Sequence, residues 1–382
     1  MTEGLAAIIL AAGFSSRMGE CKALLPLGAG TVLEQVIDLF QSCAIPEIIV
    51  VTGHQAEAVT PVVEKAGAIA VHNPDFAQGM FSSIVAGVQA LSPERRGFFL
   101  LPVDIALIRK GVITLLAGAF RELSPHLLYP VYHGRRGHPP LISTALRQTI
   151  LQGDDGNGLR DILTAVEKYA PGLVREISVA DANILFDMDT LEEYREGLLR
   201  FAGRGAPTMA ECELLVRDIF SMPDKGLAHA EQVAEVAAAI CDLLAAARTP
   251  PPDRELCRVC GWLHDLAKGS PNHEEEGGRR LSELGFDRAA AIVAAHRETG
   301  YIPGTPVTEK ELVFLADKMV CGSTRVEIEE RFQRKLNIYA DDPAARAAIR
   351  RRLHQARTVL TAIEEEIGGS LSRLLAGHKA AD

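Results

Sequence analysis

"LAAIILAAGFSSRMGECK" occupies residues 5–22. Its opening residues are apolar without alternation and stop at Gly13, so they read as a short strand buried on both faces. A loop from Leu10 to Lys22 follows, at the strand's carboxyl end. Gly13 and Gly19 permit close backbone approach, and Ser15 and Ser16 are small and polar. Arg17 and Lys22 bring positive charge to the mouth. Backbone N–H groups with two cations suit a polyphosphate. The spacing is neither GxGxxG nor a Walker A motif, because no Gly-Lys-Ser/Thr closes it. Alone, it is equally compatible with an ordinary strand-to-helix turn.

The neighbouring segments extend this pattern. "TVLEQVIDLFQSC", "QAEAVTPVVEKAG" and "MFSSIVAGVQAL" have helical period, whereas "EIIVVTG", "AIAVHN" and "GFFLLPVD" read as strands. Strands apolar on both faces and separated by helices predict an α/β domain with a doubly wound, mainly parallel sheet. Asp104 ends the third strongly apolar strand, where open α/β sheets bind ligands. A hard carboxylate oxygen there suits Mg²⁺ bridging phosphates, the alternative being a cap for the next segment.

After Arg204 the pattern changes. "GRGAP" punctuates the chain, and beyond it nearly everything is helical, with the last helix opened by Asp342-Pro343. The expected division is an α/β domain over 1–203, an all-α domain over 212–335 and a helical extension over 341–382. The helical half carries His229, His264, Asp265, His273, His296 and Asp317. Singly, each is an ordinary helix-face residue. Together they offer imidazole and carboxylate ligands for Fe, Mn, Zn or Co, and Asp265 and Asp317 interrupt apolar stretches where a carboxylate needs a cation. Lys268, one turn beyond the His264–Asp265 pair, is placed either to hold a phosphate or to close the helix dipole. Glu274–Glu276 read as a solvated helix start.

Composition bounds the rest. The chain has 382 residues, is 47% hydrophobic and 24% charged, and has a net charge of −10. That charge argues against a general grip on nucleic acid or anionic membrane. Arg350-Arg351-Arg352 reads as a solvated helix face. The seven cysteines show no disulfide framework, and Cys257 and Cys260 lie at helical spacing in an apolar helix, as small core residues. The apolar start is too short to span a bilayer, so a soluble cytoplasmic protein is expected.

In order, "LAAGFSSRMGECKALLPL", "VVTGHQAEAV", "HNPDFAQGMFSSIVAGVQAL", "LLPVDIALI", "RRGHPPLIS", "GDDGNGLRDIL" and "FDMDTLEEY" resemble the MobA-like nucleotidyltransferases, nearest the molybdenum cofactor cytidylyltransferases. The resemblance covers residues 4–200. It implies a Rossmann-like, nucleotide-diphospho-sugar-transferase-like fold and transfer of a nucleoside monophosphate from an NTP to a phosphorylated acceptor, with pyrophosphate leaving. It implies that Leu10, Ala11, Ala12, Gly13, Ser15, Arg17 and Lys22 hold the triphosphate, with Arg17, Lys22 and Asp104 catalytic. Gly79, Ser82 and Ser83 contact the base. Asp104, Asp187 and Asp189 bind Mg²⁺, and His138 and "GDDGNG" face the acceptor. "LAAG" is closer to the cytidylyl branch than to the guanylyl one, pointing to CTP and the molybdopterin cofactor. A molybdoenzyme or a maturation factor is then a candidate partner. Where the family commonly has Pro two residues after the metal Asp, this chain has Ala106, which removes a restraint on that loop.

The His and Asp set resembles the HD phosphohydrolases, nearest a di-iron branch acting on dinucleoside polyphosphates, over residues 215–325. This implies one metal on His229, His264, Asp265 and Asp317. Asp265 bridges to a second metal on His273 and His296, both Fe or Mn, with Lys268 beside them as a catalytic cation and a metal-activated water as attacker. The combined expectation is a CMP transferase fused to a hydrolase of a phosphate ester or anhydride, the back half acting on a product of the front or reversing its transfer. Two alternatives stay open: a sugar- or alditol-phosphate acceptor, and an HD half that senses nucleotide or docks a partner without turnover.

Overall fold

All seven residues of the strand Leu5–Ala11 (β1) are buried. In this computed structural model, which describes residues 2–14, 18–153 and 158–377, alternate β1 residues feed two cores. Leu5, Ala7, Ile9 and Ala11 belong to one, and Ala6, Ile8 and Leu10 to the other. That is why the segment has no polar alternation. Both faces of the sheet are covered, and burying Ile8 and Ile9 contributes roughly 1.5–3 kcal/mol each. Helices Val32–Ser42, Ala56–Lys65 and Lys110–Leu123 supply the first core, and Met80–Ala90, Arg147–Leu151 and Leu159–Tyr169 the second.

The other strands of the β1 sheet are Ile48–Thr52 (β2), Ile69–His72 (β3), Gly97–Pro102 (β4), Leu127–Tyr132 (β5), Arg135–Arg136 (β6), Leu141–Ser143 (β7) and Val174–Ser178 (β8). Among the described residues they form an eight-stranded sheet in the order β8-β5-β7-β4-β1-β2-β3, with β6 on β5. β1 pairs in parallel with β2 and with β4. The chain runs outward through β2 and β3, then returns to β4 on the other side of β1. The crevice at the carboxyl ends of β1 and β4 is therefore the topological switch point, where such sheets bind ligands. The sheet is mainly parallel, as expected. The exceptions are the two-residue β6, antiparallel to β5, and β7, antiparallel to both β4 and β5. Only three residues long and following Pro139 and Pro140, β7 lacks the long apolar run that marks the other buried strands.

The chain divides into two compact units, Met1–Arg204 and Gly205–Asp382. Among the described residues the second is helical apart from a small hairpin, Val320–Cys321 with Thr324–Arg325. Its helix Asp224–Ala247 packs against Arg254–Leu263, Glu309–Lys318 and Pro343–Ile367. The first of these crossings is close: a Cβ on Gly261 would lie 2.5 Å from Ala234 Cα. The helix Pro343–Ile367 starts as its sequence predicts, the Asp342 side chain accepting the Ala345 N–H with Pro343 in the first turn. It packs within the unit rather than standing off it. Cys257 and Cys260 are buried core residues. Among the described residues no helix is long and apolar enough to cross a membrane.

Candidate active sites

The loop after β1 and the end of β4 wall a cleft of about 320 Å³. Leu10, Ala11, Ala12, Gly13, Lys22, Gly79, Ser83 and Asp104 all line it. Backbone ladders set this arrangement: the Val103 N–H donates to the Leu10 carbonyl (3.1 Å), and the His54 N–H donates to that of Ala12 (3.1 Å). A Cβ added at Gly13 or Gly79 would meet nothing within 4 Å, so both positions leave room for a ligand. Gly79 also has φ 115°, which favours glycine. Ser15, Ser16, Arg17 and residues 154–157 of the "GDDGNG" loop lie outside the described residues.

Lys22 gathers the charge. Its ammonium donates to Asp104 Oδ2 at 3.2 Å and also to Asp189 Oδ1. Burial lowers the Lys22 pKa, but the two carboxylates outweigh it and the net shift is upward. Burial raises the Asp104 carboxyl, with Lys22 opposing. The segment bearing Asp189 is fastened to the Asp104 loop, the Met188 N–H donating to the Asp104 carbonyl (3.1 Å). Farther along, Asp181 accepts from the Arg109 N–H and guanidinium, each at 2.7 Å. With Ala106 buried, these ties hold the loop that carries Asp104. Asp187, across Met188, is exposed. Its charge acts with that of Asp104 on His138, whose pKa is lowered chiefly by burial. His138 Nδ1 is buried without a hydrogen-bond partner.

Ser83 and Ser82 part company. Asn73 Nδ2 donates to both hydroxyls, at 3.0 and 2.9 Å. Ser82 Oγ is turned to the Asp75 and Gly79 carbonyls and lines a different cleft, with Phe81 and Gly153. Sequence reading also passes over an aromatic group at the cleft. Phe14 lies 5.3 Å from Phe76 and 5.2 Å from His54 between ring centroids, and both phenylalanines line the cleft. Each sits in a different loop, so no local spacing marks them.

The helical unit brings all six expected ligands together. Asp265 sits between two imidazole pairs. Its Oδ2 lies 3.5 Å from His264 Nε2 and 4.0 Å from His229 Nε2. Its Oδ1 lies 3.4 Å from His273 Nε2 and 3.8 Å from His296 Nε2. Asp317 Oδ1 lies 3.4 Å from His229 Nε2 and 3.9 Å from His264 Nε2. Carbonyls orient the rings: Nδ1 of His229, His264 and His296 meets Gly322 O (2.8 Å), Gly261 O (2.7 Å) and Val293 O (2.7 Å). A carbonyl can only accept, so each Nδ1 donates and each Nε2 lone pair points inward, as metal ligation requires. His264 Nε2 is buried with no hydrogen-bond partner. This set of imidazole and carboxylate donors fits a divalent cation.

Burial and charge divide the set: burial lowers the His264 pKa, but Asp265 and Asp317 outweigh it and the net shift is upward. Burial pushes His296 down to about 3, with His264 and Lys318 adding to it, so its imidazole is neutral at pH 7. Burial tends to raise Asp265, but His264 and His273 hold it well below the ordinary carboxylate range. The same opposition, with Lys318 and Arg331 prevailing, keeps Asp317 ionised. The Lys268 ammonium rests on Asp265 Oδ2.

Two expectations need correction. Glu274 flanks His273, as expected, but is not simply solvated, because Arg297 donates to it at 3.0 Å. Nor is Arg352 part of a solvated face, for it lines the cleft over the histidines, together with Arg331, Lys335 and Lys318.

A profile of the MobA-like NTP transferase domain matches residues 7–170, and one of the HD domain matches 226–320. The chain is 31% identical over 193 residues to a molybdenum cofactor cytidylyltransferase from Escherichia coli (strain K12), covering 49% of this chain and 92% of that protein. It is 29% identical over 198 residues to a nicotine blue oxidoreductase from Paenarthrobacter nicotinovorans, covering 49% and 92%. A nucleotidyl transferase of known structure from Methanothermobacter thermautotroptrophicus is similar over 52% of this chain and 97% of its own, at 20% identity and a TM-score of 0.45. The chain belongs to the MobA-like NTP transferase family, a nucleotidyltransferase domain followed in the same chain by an HD domain.

Proposed function

We propose that the N-terminal unit transfers CMP from CTP to the molybdopterin cofactor. The observation that carries this is the meeting of Lys22, Asp104 and Asp189 at a cleft lined by the Leu10–Gly13 backbone. Support for the base and acceptor comes from the name of the 31% identical relative. An acceptor phosphate oxygen attacks the α-phosphorus of the nucleotide, and pyrophosphate leaves. Lys22 and the loop N–H groups neutralise the triphosphate and the charge growing on the leaving group, each such donor worth about 3 kcal/mol of barrier. Asp104 and Asp189 offer the hard oxygen ligands that Mg²⁺ prefers, with Asp187 outside that pair. Mg²⁺ bound there supplies further charge neutralisation. Gly79 and Ser83 shape the nucleotide side, and His138 orients the acceptor. The test is pyrophosphate release with each of the four NTPs, against molybdopterin and against sugar and alditol phosphates. Release only with a sugar or alditol phosphate would sink the assignment.

For the HD unit we propose hydrolysis of a phosphate ester or anhydride with two transition metals, Fe or Mn. His229, His264, Asp265 and Asp317 would hold one, and His273 and His296 the other, with Asp265 shared. The two oxygens of Asp265, each facing a different imidazole pair, carry this reading. The metals supply water activation and phosphate neutralisation. The substrate would be a product of the front unit. Metal analysis after iron- and manganese-replete expression is expected to give two per chain, with turnover of a nucleotide or dinucleotide. Absence of both leaves the unit a sensor.

A further inference from the structure

Lys318 closes the helix Glu309–Lys318, directly after Asp317. Its side chain is 7% exposed, so a charge is held out of water, which is costly unless it is paired. The pairing is specific. Nζ donates to Asp317 Oδ2 at 2.6 Å and to the His296 carbonyl at 3.1 Å, and it stands 4.8 Å from the centre of the Phe314 ring. Successive residues of a helix do not face each other, so the bond to Asp317 requires the lysine to fold back across its neighbour. That bond takes up Oδ2. The other oxygen, Oδ1, faces His229 and His264 at 3.4 and 3.9 Å and accepts from Arg331 at 3.2 Å.

The second contact of Lys318 falls on the other imidazole pair. His296 stands just past the helix Asp287–Ala294, so no helix ladder fixes its carbonyl. Its Nε2 lies 3.8 Å from Asp265 Oδ1, the oxygen that also meets His273. Asp265 thus joins the two pairs through its own oxygens, and Lys318 joins Asp317 to His296 by a second route. On charge alone an ammonium is out of place there, because it repels any cation the surrounding ligands would hold.

We infer that Lys318 is a positioning residue for the metal centre: by tying Asp317 Oδ2 to the His296 backbone, it presents Asp317 through Oδ1 and holds the two ligand groups at the spacing a pair of cations needs. Asp265 is then the carboxylate shared between the cations. This rests on the two-metal reading of the unit and adds to it a residue outside the ligand set.

The probe is Mn²⁺, titrated into the full chain freed of metal, with free Mn²⁺ followed by electron paramagnetic resonance. Lys318→Met keeps the length of the side chain but removes its charge and its donors. Charge alone predicts tighter binding in this variant, because a repelling cation is gone. Positioning predicts the reverse, and binding of at least one ion is expected to weaken about tenfold or more. Lys310→Met removes the same charge from the start of the same helix, where Lys310 pairs with Glu311 outside the cleft lining, and is expected to change binding by less than about twofold. Ions held by the N-terminal unit are common to all variants, so a difference between them belongs to this centre. Unchanged or tighter binding in Lys318→Met, or an equal loss in Lys310→Met, overturns the inference. If circular dichroism shows Lys318→Met misfolded, Lys318→Gln carries the test, since it is uncharged and too short to span both partners. At least about a threefold loss is then expected, and parental or tighter binding overturns the idea. If Asp265→Ala binds as many ions as the parent, the metal reading fails and the inference with it. If the parent holds two ions here but turns over no phosphate compound, the hydrolase reading alone fails, and the Lys318 comparison still decides this one.

Discussion

In the N-terminal cleft, Asp104 and Asp189 keep 23% and 30% of their side-chain surface exposed, and one lysine holds them together. In the helical unit, Asp265 and Asp317 keep 8% and 10%, and three imidazoles are each locked by a backbone carbonyl. The first site is built on loops at strand ends and is open to a nucleotide that brings its own charge. The second is ordered before anything binds. Loops at a switch point let large ligands enter, while helices packed around a buried carboxylate fix ligand atoms at the expense of access.

The sharpest way to break this contrast is to remove one carboxylate from each site. Asp104→Ala should lower pyrophosphate release about 10²–10³-fold, by the scale of a lost preorganised group, and leave hydrolysis by the other unit intact. Asp265→Ala should strip metal from the helical unit and end hydrolysis without touching transfer. Metal content and the two assays read both, and loss of both activities from either change would show that the sites are coupled. Next comes the buried Arg109–Asp181 pair, at 7% and 1% exposure. Asp181→Asn should destabilise the N-terminal unit by about 3–5 kcal/mol, seen as a lowered calorimetric transition with that of the helical unit unmoved. Gly261→Ala forces a Cβ onto Ala234 and should cost about 1–3 kcal/mol in the helical unit. Because Gly261 O also orients His264, metal retention during dialysis should fall as well.

The smallest effect concerns pH. Lys335 faces Arg331, Lys318, Arg352 and Asp317, and its pKa is pushed down to about 8, first by burial. It is charged below that value and neutral above it. Affinity of the metal-free chain for inorganic phosphate should therefore fall as pH rises through 8, relative to Lys335→Arg, which stays charged. Parallel pH profiles for the two would remove Lys335 from phosphate binding in the cleft over the histidines.

Much of this was legible in the sequence. β1, β2 and β4 announce themselves as unalternating apolar runs, and His229 through Asp317 stand out because imidazoles and carboxylates are unusual in an apolar helical pattern. What escaped has no local signature. β7 is too short to show a period. Phe14, His54 and Phe76 meet only because three loops converge. Arg352 looked solvated because it sits in a run of three arginines, yet successive helix positions point about 100° apart, so one can face a cleft while Arg351 faces water. Ser82 and Ser83, adjacent in sequence, diverge for the same reason.

One more consequence lies in β1. Its residues pair in fixed register with β4, Leu10 opposite Pro102, and the Gly13 loop and Asp104 lie just beyond those partners. Deleting a single residue from Leu5–Ala11 would do more than shorten a strand. It would exchange the residues of the two cores and draw the glycine loop back by about 3.3 Å relative to Asp104. Substitutions in β1 test packing, but its length is a ruler between a phosphate loop and a carboxylate. Changes of length there should be far less tolerated than changes of side chain.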